Sequence, residues 1–443
     1  MVKRPQWFIN LYRMIMLRHM RIFTILIIFT FFYSAEAMAE ETLFWQDCIK
    51  EAAKNHPDLI AAVEEVKQSE AAKKVTASTL FPQVNANLGA STKKTTTSSK
   101  SGSSTSDTYT YGVSGTQLIF DGNKTVDNVK AAAETIKASQ QNYRFTSTEV
   151  RLRLRTAFVN LLKAQELIKV SEDIVRIRKS NLELITLRYE SGLEHRGALL
   201  TAEANLAQAD FGLAQAKRDV ELAQRQMTKE MGRKEFIPMN VKADFKVIDT
   251  AKDRPDFDKL SNNNPSLLQL TAQKNAAEFG LKGAYANFFP TLSGSAGANK
   301  NDTHWPPRGN QWNLGLALSV PIFEGGLRFA QVSQAQGLLN QLKENERSTR
   351  DGIIVTLAQT WTSLRDAIET VDVQYKNLIA TEERSKIAEA EYATGFVTYD
   401  NWTIIEDNLV QAKTSYLNAQ ANALLAEANW IQAKGEVLEY AKS

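Results

Sequence analysis

Apolar residues in this chain recur with two periods, and the points where one gives way to the other outline the molecule. From Gly122 onward the spacing is helical: Leu154, Leu161, Ile168, Val175, Leu182 and Tyr189 fall every seven residues. A second run, Ile354, Leu357, Trp361, Leu364, Ile368, Val371, Tyr375 and Leu378, alternates steps of three and four. Heptad seams of this kind predict left-handed coiled coils. After "YESGL" (189–193) and "YATGF" (392–396) the pattern resumes, through Leu199, Leu206, Leu213, Val220 and Met227, and through Trp402, Leu409, Tyr416, Ala423 and Trp430. Glycine in each short segment marks a helix end and a reversal. The outgoing helix, 122–190, would be about 100 Å long at 1.5 Å per residue. Its return, 193–231, covers a little over half of that. A further helix at about 42–78 has roughly the missing length and could stack end to end with the return helix.

Between the helical stretches the period drops to two. In "VNANLGA" (84–90), Val84, Ala86, Leu88 and Ala90 share one face. In "QWNLGLALSV" (311–320), Trp312, Leu314, Leu316, Leu318 and Val320 face one way, Gln311, Asn313 and Ser319 the other. This alternation predicts strands, four in all, of about ten residues. They end in aromatics: Phe81, Tyr109, Phe120, Phe289, Trp312 and Phe323. Such segments suit a membrane β-barrel with interfacial girdles; a half-buried soluble sheet is the competing reading. Four strands cannot close a barrel, and an open edge cannot sit in lipid. Several chains must therefore share it, with eight, twelve or sixteen strands for two, three or four subunits.

The second half repeats the first. Residues 55–59 match 263–267 at an offset of 208, and "FPQVNANLGA" from Phe81 matches "FPTLSGSAGA" from Phe289. Downstream the offset is 203: Phe120 pairs with Phe323, Gly122 with Gly325, Tyr189 with Tyr392, Gly192 with Gly395 and Gly232 with Gly435. The five-residue difference lies between Ala90 and Ile119, where "STKKTTTSSKSGSSTSD" (91–107) carries no apolar side chain. That stretch predicts an exposed loop, which tolerates insertion; the helical part is fixed in length. The organisation read from this is a leader at 1–39, a first repeat at 40–235, a linker at 236–256 and a second repeat at 257–443.

Composition narrows the class. Lys3, Arg4, Arg13, Arg18 and Arg21 precede an apolar run at 22–33 and a small-residue stretch, "AEAMA", the pattern of a secretory leader cleaved near Ala39. The alternative is a retained signal-anchor helix, and Met1, Met14, Met16 and Met20 are each possible starts. Without the leader, 53 − 5 = 48 basic residues face 50 − 1 = 49 acidic ones, which argues against nucleic acid as a partner. No later window has 18 apolar residues, so entry into a membrane must be by strands. The single cysteine, Cys48, allows no disulfide framework. His56, His195 and His304 are scattered without metal spacing, and "DGNKT" at Asp121 has the wrong spacing for a phosphate loop. The chain reads as no enzyme, with no cofactor and no metal.

Helix, two strands, long helix, tip and return helix, done twice behind a leader, resembles the TolC family of outer-membrane efflux and secretion channels over roughly residues 42–436. The "FP" openings, "IF-acidic-G" strand exits and "YxxG" tips carry the resemblance at constant offset. It implies a mainly α fold with a small β part: antiparallel coiled-coil hairpins in two repeats, each giving two strands to a shared trimeric outer-membrane β-barrel. It further implies a helical tunnel in the periplasm. The homotrimer would be the passive exit duct of a tripartite efflux pump or type I secretion system. A periplasmic adaptor would couple it to an inner-membrane pump of the RND or ABC type. The resemblance assigns adaptor contact to Gly192, Leu193, Gly395 and Phe396, and a pore constriction to Tyr189, Tyr392 and Asp400. Where the family has a polar closing cluster counted from the tip tyrosine, this chain has Val397, Asn401 and Ile404; Asp400, Glu406 and Asp407 are the acids nearby. The alternative function is a periplasmic or surface-attached structural coiled coil without a pore.

Overall fold

The computed structural model describes residues 41–96, 103–245 and 254–438; the predicted leader lies outside them. The helix expected at about 42–78 is three elements: β1 (Glu41–Leu43), α1 (Trp45–Asn55) and α2 (Pro57–Ser78). The break falls at His56, which is extended (φ −67°, ψ 123°). Proline at 57 disfavours helical geometry in the residue before it and is itself suited to a first helical position. The imidazole then caps α2, Nδ1 accepting from Asp58 N at 3.2 Å.

Next come β2 (Gln83–Thr96), β3 (Ser103–Phe120), the 67-residue α3 (Lys124–Glu190) and the 35-residue α4 (Arg196–Glu230). A short strand, β4 (Met239–Val241), and a one-and-a-half-turn helix, α5 (Phe257–Asn262), lead to the second repeat. That repeat holds α6 (Pro265–Ala286), β5 (Thr291–Asp302), β6 (Gly309–Ser319), the 68-residue α7 (Leu327–Thr394) and the 35-residue α8 (Tyr399–Ala433). The stretch expected to be only a linker thus supplies β4, which pairs in parallel with β1, Glu41 opposite Met239.

The polar stretch 91–107 is largely strand. Paired residues continue through Thr92–Asp107 to Thr96–Ser103, and residues 97–102 lie outside the described residues. Serine and threonine set no apolar face, but their backbones pair normally, and the Thr92 hydroxyl donates to Asp107 at 2.7 Å. The sheet order is β2-β3-β5-β6, antiparallel throughout, with a bulge between Leu118 and Phe120 where β3 approaches α3. At that exit Asp121 accepts from the Thr125 N–H at 2.8 Å and from its hydroxyl at 2.5 Å. The "DGNKT" stretch is therefore a helix start, with Gly122 and Asn123 left-handed.

From the sheet the helices run away as two hairpins, α3/α4 and α7/α8. The long helix α3 packs on α2, α4, α6 and α8, and α7 packs on α6 and α8. About halfway along, Leu154, Phe158 and Leu161 of α3 are buried with Cys48, Ile49, Met227 and Leu424. Burial and the neighbouring carboxylates push the Cys48 thiol up to about 12. A corresponding cluster in the second repeat joins Leu357 and Leu364 to Phe257 and Trp430. In each repeat the return helix ends against the start of the shorter helix. A Cβ on Gly232 would lie 2.5 Å from Asn55 O, and one on Gly435 would lie 2.5 Å from Pro265 Cδ. Both glycines are left-handed, at φ 74° and 78°, so they stop one helix and let the next abut it.

Candidate functional site: the sheet and the hairpin tips

Two parts of the molecule carry surface that a lone folded chain does not explain. The first is the sheet. Its alternation places Val84, Val113, Ala296 and Leu314 on one face, in one row of paired residues or next to it, and that face is bare. Trp312 is 81% and Leu88 76% exposed, and Leu314, Leu316 and Leu318 are also exposed. Tyr109 and Tyr111 stand edge-on to Trp305 at ring distances of 6.3 Å, at the end away from the helices. Phe81, Phe120, Phe289 and Phe323 are exposed at the opposite end. From Phe120 to Tyr111 a strand rises about 30 Å at 3.3 Å per residue. Among the described residues neither β2 nor β6 has a neighbour on its outer edge, so both edges offer unpaired backbone groups.

The second part is the tip, 67 residues of helix away. Each hairpin turns through a matched pair of hydrogen bonds. Gly192 N donates to Tyr189 O at 3.0 Å and Leu193 N to Arg188 O at 2.8 Å; Gly395 N donates to Tyr392 O at 3.1 Å and Phe396 N to Glu391 O at 2.9 Å. Both glycines are left-handed. In this motif the residue after the glycine usually packs back on the helix. Here the residues it would meet are Arg188 and Glu391, and Leu193 stays 67% and Phe396 86% exposed. His195 and Thr398 then cap the return helices.

The three residues expected near a constriction part company. Tyr189 is partly exposed and Asp400 is exposed in the first turn of α8, where the helix dipole favours an acid. Tyr392 is 1% exposed and serves as the core of the tip. Its ring stacks on Trp402 (centroids 4.5 Å apart, 11° between planes), and its hydroxyl donates to Glu194 Oε2 at 2.8 Å. Arg188 lies over the ring at 4.6 Å and donates to the carbonyls of Tyr392 and Ala393. Burial, and then the Glu194 carboxylate, push the Tyr392 hydroxyl well above its ordinary range. The arrangement ties one hairpin tip to the other.

Of the nearby acids, Glu406 is 3% exposed and accepts from Ser385 Oγ at 2.5 Å, while Asp407 accepts from the buried Arg178 at 2.5 Å. Farther along, Lys413 reaches from α8 to Asp173 on α3 at 2.5 Å. Val397, Asn401 and Ile404 instead line a groove with Ala380, Glu383 and Ile387 of α7. Arg188, Glu194, Trp402 and Arg178 were not legible as a set, because the partners are some 200 residues apart in sequence. The one available signal was the position of Glu194 and Trp402 beside the tip glycines. Among the described residues no group of three histidine, cysteine or acidic side chains could hold a metal ion, and no helix is long and apolar enough to cross a membrane.

Comparison with known proteins agrees with this geometry. The family model described as outer membrane efflux protein matches residues 48–233 and 257–437. Outer membrane efflux protein BepC of Brucella suis is 23% identical over 341 residues, 75% of this chain and 70% of that protein. Outer membrane protein TolC of Escherichia coli K12 is 24% identical over 350 residues, 73% of this chain and 69% of that protein. The Campylobacter jejuni CmeC outer membrane channel superposes with a TM-score of 0.78 at 17% identity, covering 88% of this chain and 85% of that one. The two matched segments run from within α1 to just past α4 and from α5 to just past α8, and the shared fold is the helical hairpins with their small sheet. The chain belongs to the outer membrane efflux protein family, the TolC family of outer-membrane channels.

Proposed function

We propose that three copies of this chain form the passive exit duct of a tripartite efflux pump or type I secretion system. The observation that carries this reading is the sheet: one exposed apolar face, and two edges that must be paired before such a sheet can enter lipid. Three copies, each contributing β2, β3, β5 and β6, make a twelve-stranded barrel with the apolar face toward lipid and the aromatic ends at the two interfaces. The helices support the same assembly. Val75, Leu200, Phe211 and Leu222 are exposed on α2 and α4, and Val355, Val373 and Ile379 are exposed on α7. Two different apolar faces on one chain suit a head-to-tail ring.

The hairpins would then enclose a tunnel in the periplasm, with Leu193 and Phe396 at its far end, offered to a periplasmic adaptor protein. The adaptor couples the duct to an inner-membrane pump of the RND or ABC type, which supplies the energy. Mass measurement on the complex extracted in mild detergent from outer membranes tests the assembly. Three chains per particle is the expected result; a chain released without detergent, or stable alone, returns the protein to the structural coiled-coil reading. Leu193→Asp and Phe396→Asp should abolish transport while leaving the trimer intact, and unchanged transport in a normal trimer refutes adaptor contact at that residue.

A further inference from the structure

The polar face of the sheet is as uniform as the apolar one. Asn85, Ser114, Gly297 and Asn313 form one row across the four strands, and the row of Asn87, Gly112, Asn299 and Gln311 follows. From the level of Ser293 to that of Asn301 this face carries hydroxyls, carboxamides, glycines, one leucine and one alanine. It carries no ionisable side chain. Lys300, which lies within those limits, is on the opposite face, in the row of Leu88 and Tyr111. Lys93, on the polar face, lies beyond them, and Asp107, paired with Thr92, is on the opposite face.

The amides also lie close to the sheet. A Cβ on Gly297 would come within 2.6 Å of Asn313 Oδ1, so the Asn313 side chain crosses the space that the glycine leaves open. Asn87 Nδ2 donates to Ser114 Oγ at 3.2 Å, and Asn299 Nδ2 to Gln311 Oε1 at 3.4 Å. A wall of this kind presents both donors and acceptors to a passing solute. It has no fixed charge with which to attract one sign of ion and repel the other.

We infer that the barrel section is a charge-neutral, carboxamide-lined passage that admits polar solutes of either sign and performs no selection by charge. This rests on the proposed barrel, in which the polar face lines the lumen. Its consequence is chemical: cationic, anionic and neutral cargoes meet the same wall on the way out.

The test uses full-length protein reconstituted in lipid vesicles, with Asn85→Cys or Asn87→Cys as reporters on the polar face. Each is treated separately with a cationic and an anionic methanethiosulfonate. The native Cys48 is 0% exposed and does not compete. Both reagents should label both reporters, in a rate ratio within about twofold of that for free cysteine, as a neutral site requires. Adding Asn313→Asp to Asn85→Cys should raise the cation-to-anion ratio about fivefold, since three copies place three carboxylates around the same level. A starting ratio displaced about tenfold either way, or no response to Asn313→Asp, overturns the inference. Failure of the barrel itself reads differently: Val113→Cys, on the apolar face, would then label as fast as Asn85→Cys.

Discussion

Replacing Tyr392 by phenylalanine removes one oxygen and leaves the ring. The stack on Trp402 and the Arg188 contact survive, so the change isolates the hydrogen bond to Glu194 Oε2. The Glu194 side chain is only 10% exposed and loses a donor that water cannot easily replace. A hydrogen bond to a charged group in such surroundings contributes about 2 kcal/mol. At 1.36 kcal/mol per factor of ten, local opening of the tip becomes roughly thirtyfold more frequent. Hydrogen exchange read by mass spectrometry should show this in peptides spanning 185–202 and 388–405. Peptides around Leu154 and Phe158, in the central cluster, should not change. The pH dependence supplies a second check. A folded-state hydroxyl raised above its unfolded value stabilises fully below the unfolded value of about 10 and loses that effect as pH rises through the folded one. The margin of wild type over Y392F should therefore be flat from neutral pH to about 10 and shrink above it. Tip exchange within about twofold of wild type would refute the claim that this bond joins the hairpins.

Other substitutions separate strain from contact. Gly395→Ala meets nothing within 4 Å and should cost only the left-handed backbone penalty, about 1 kcal/mol, whereas Gly232→Ala adds a collision with Asn55 O and should cost about 3 kcal/mol or more; thermal melts of the detergent-solubilised protein rank them. Ser385→Ala leaves the buried Glu406 carboxylate short of a donor and should destabilise the tip by about 2 kcal/mol, with exchange again the measurement. Burial pulls the Glu346 carboxyl up, but Lys274 and Thr271 outweigh it and hold the group below the usual carboxylate range. Its contribution is thus present above the unfolded value and lost as pH falls through the folded one, so Glu346→Gln should flatten the acid side of a stability-against-pH curve.

The hairpins and the strand faces were legible because each rests on a period that survives in one dimension. Leu154, Leu161 and Tyr189 report a seam wherever the partner helix comes from. The helix break at His56 was equally available, since Pro57 announces it. What escaped was whatever depends on two distant segments meeting. Three-residue strands such as Glu41–Leu43 and Met239–Val241 are too short to show alternation, and they exist only because each satisfies the other. The resemblance placed Tyr392 at a pore constriction; its burial depends on Trp402 and on Arg188 and Glu194 from the first hairpin. The polar stretch 91–107 misled for a different reason. An amphipathic pattern is evidence of a half-buried strand, and a hairpin with water on both faces needs none.

The β1–β4 pair has a consequence for the order in which the chain assembles. Its two strands are separated by nearly the whole first repeat, and Arg233, just past the end of α4, donates to Glu41 and Glu51 on the N-terminal side. A chain emerging from its amino end offers Glu41–Leu43 long before Met239–Val241 exists to receive it. Local helix formation can proceed without delay, but this junction closes a loop of about two hundred residues and belongs among the late, slow contacts. Strand β1 is therefore pinned only once the first hairpin has gone out to its tip and come back.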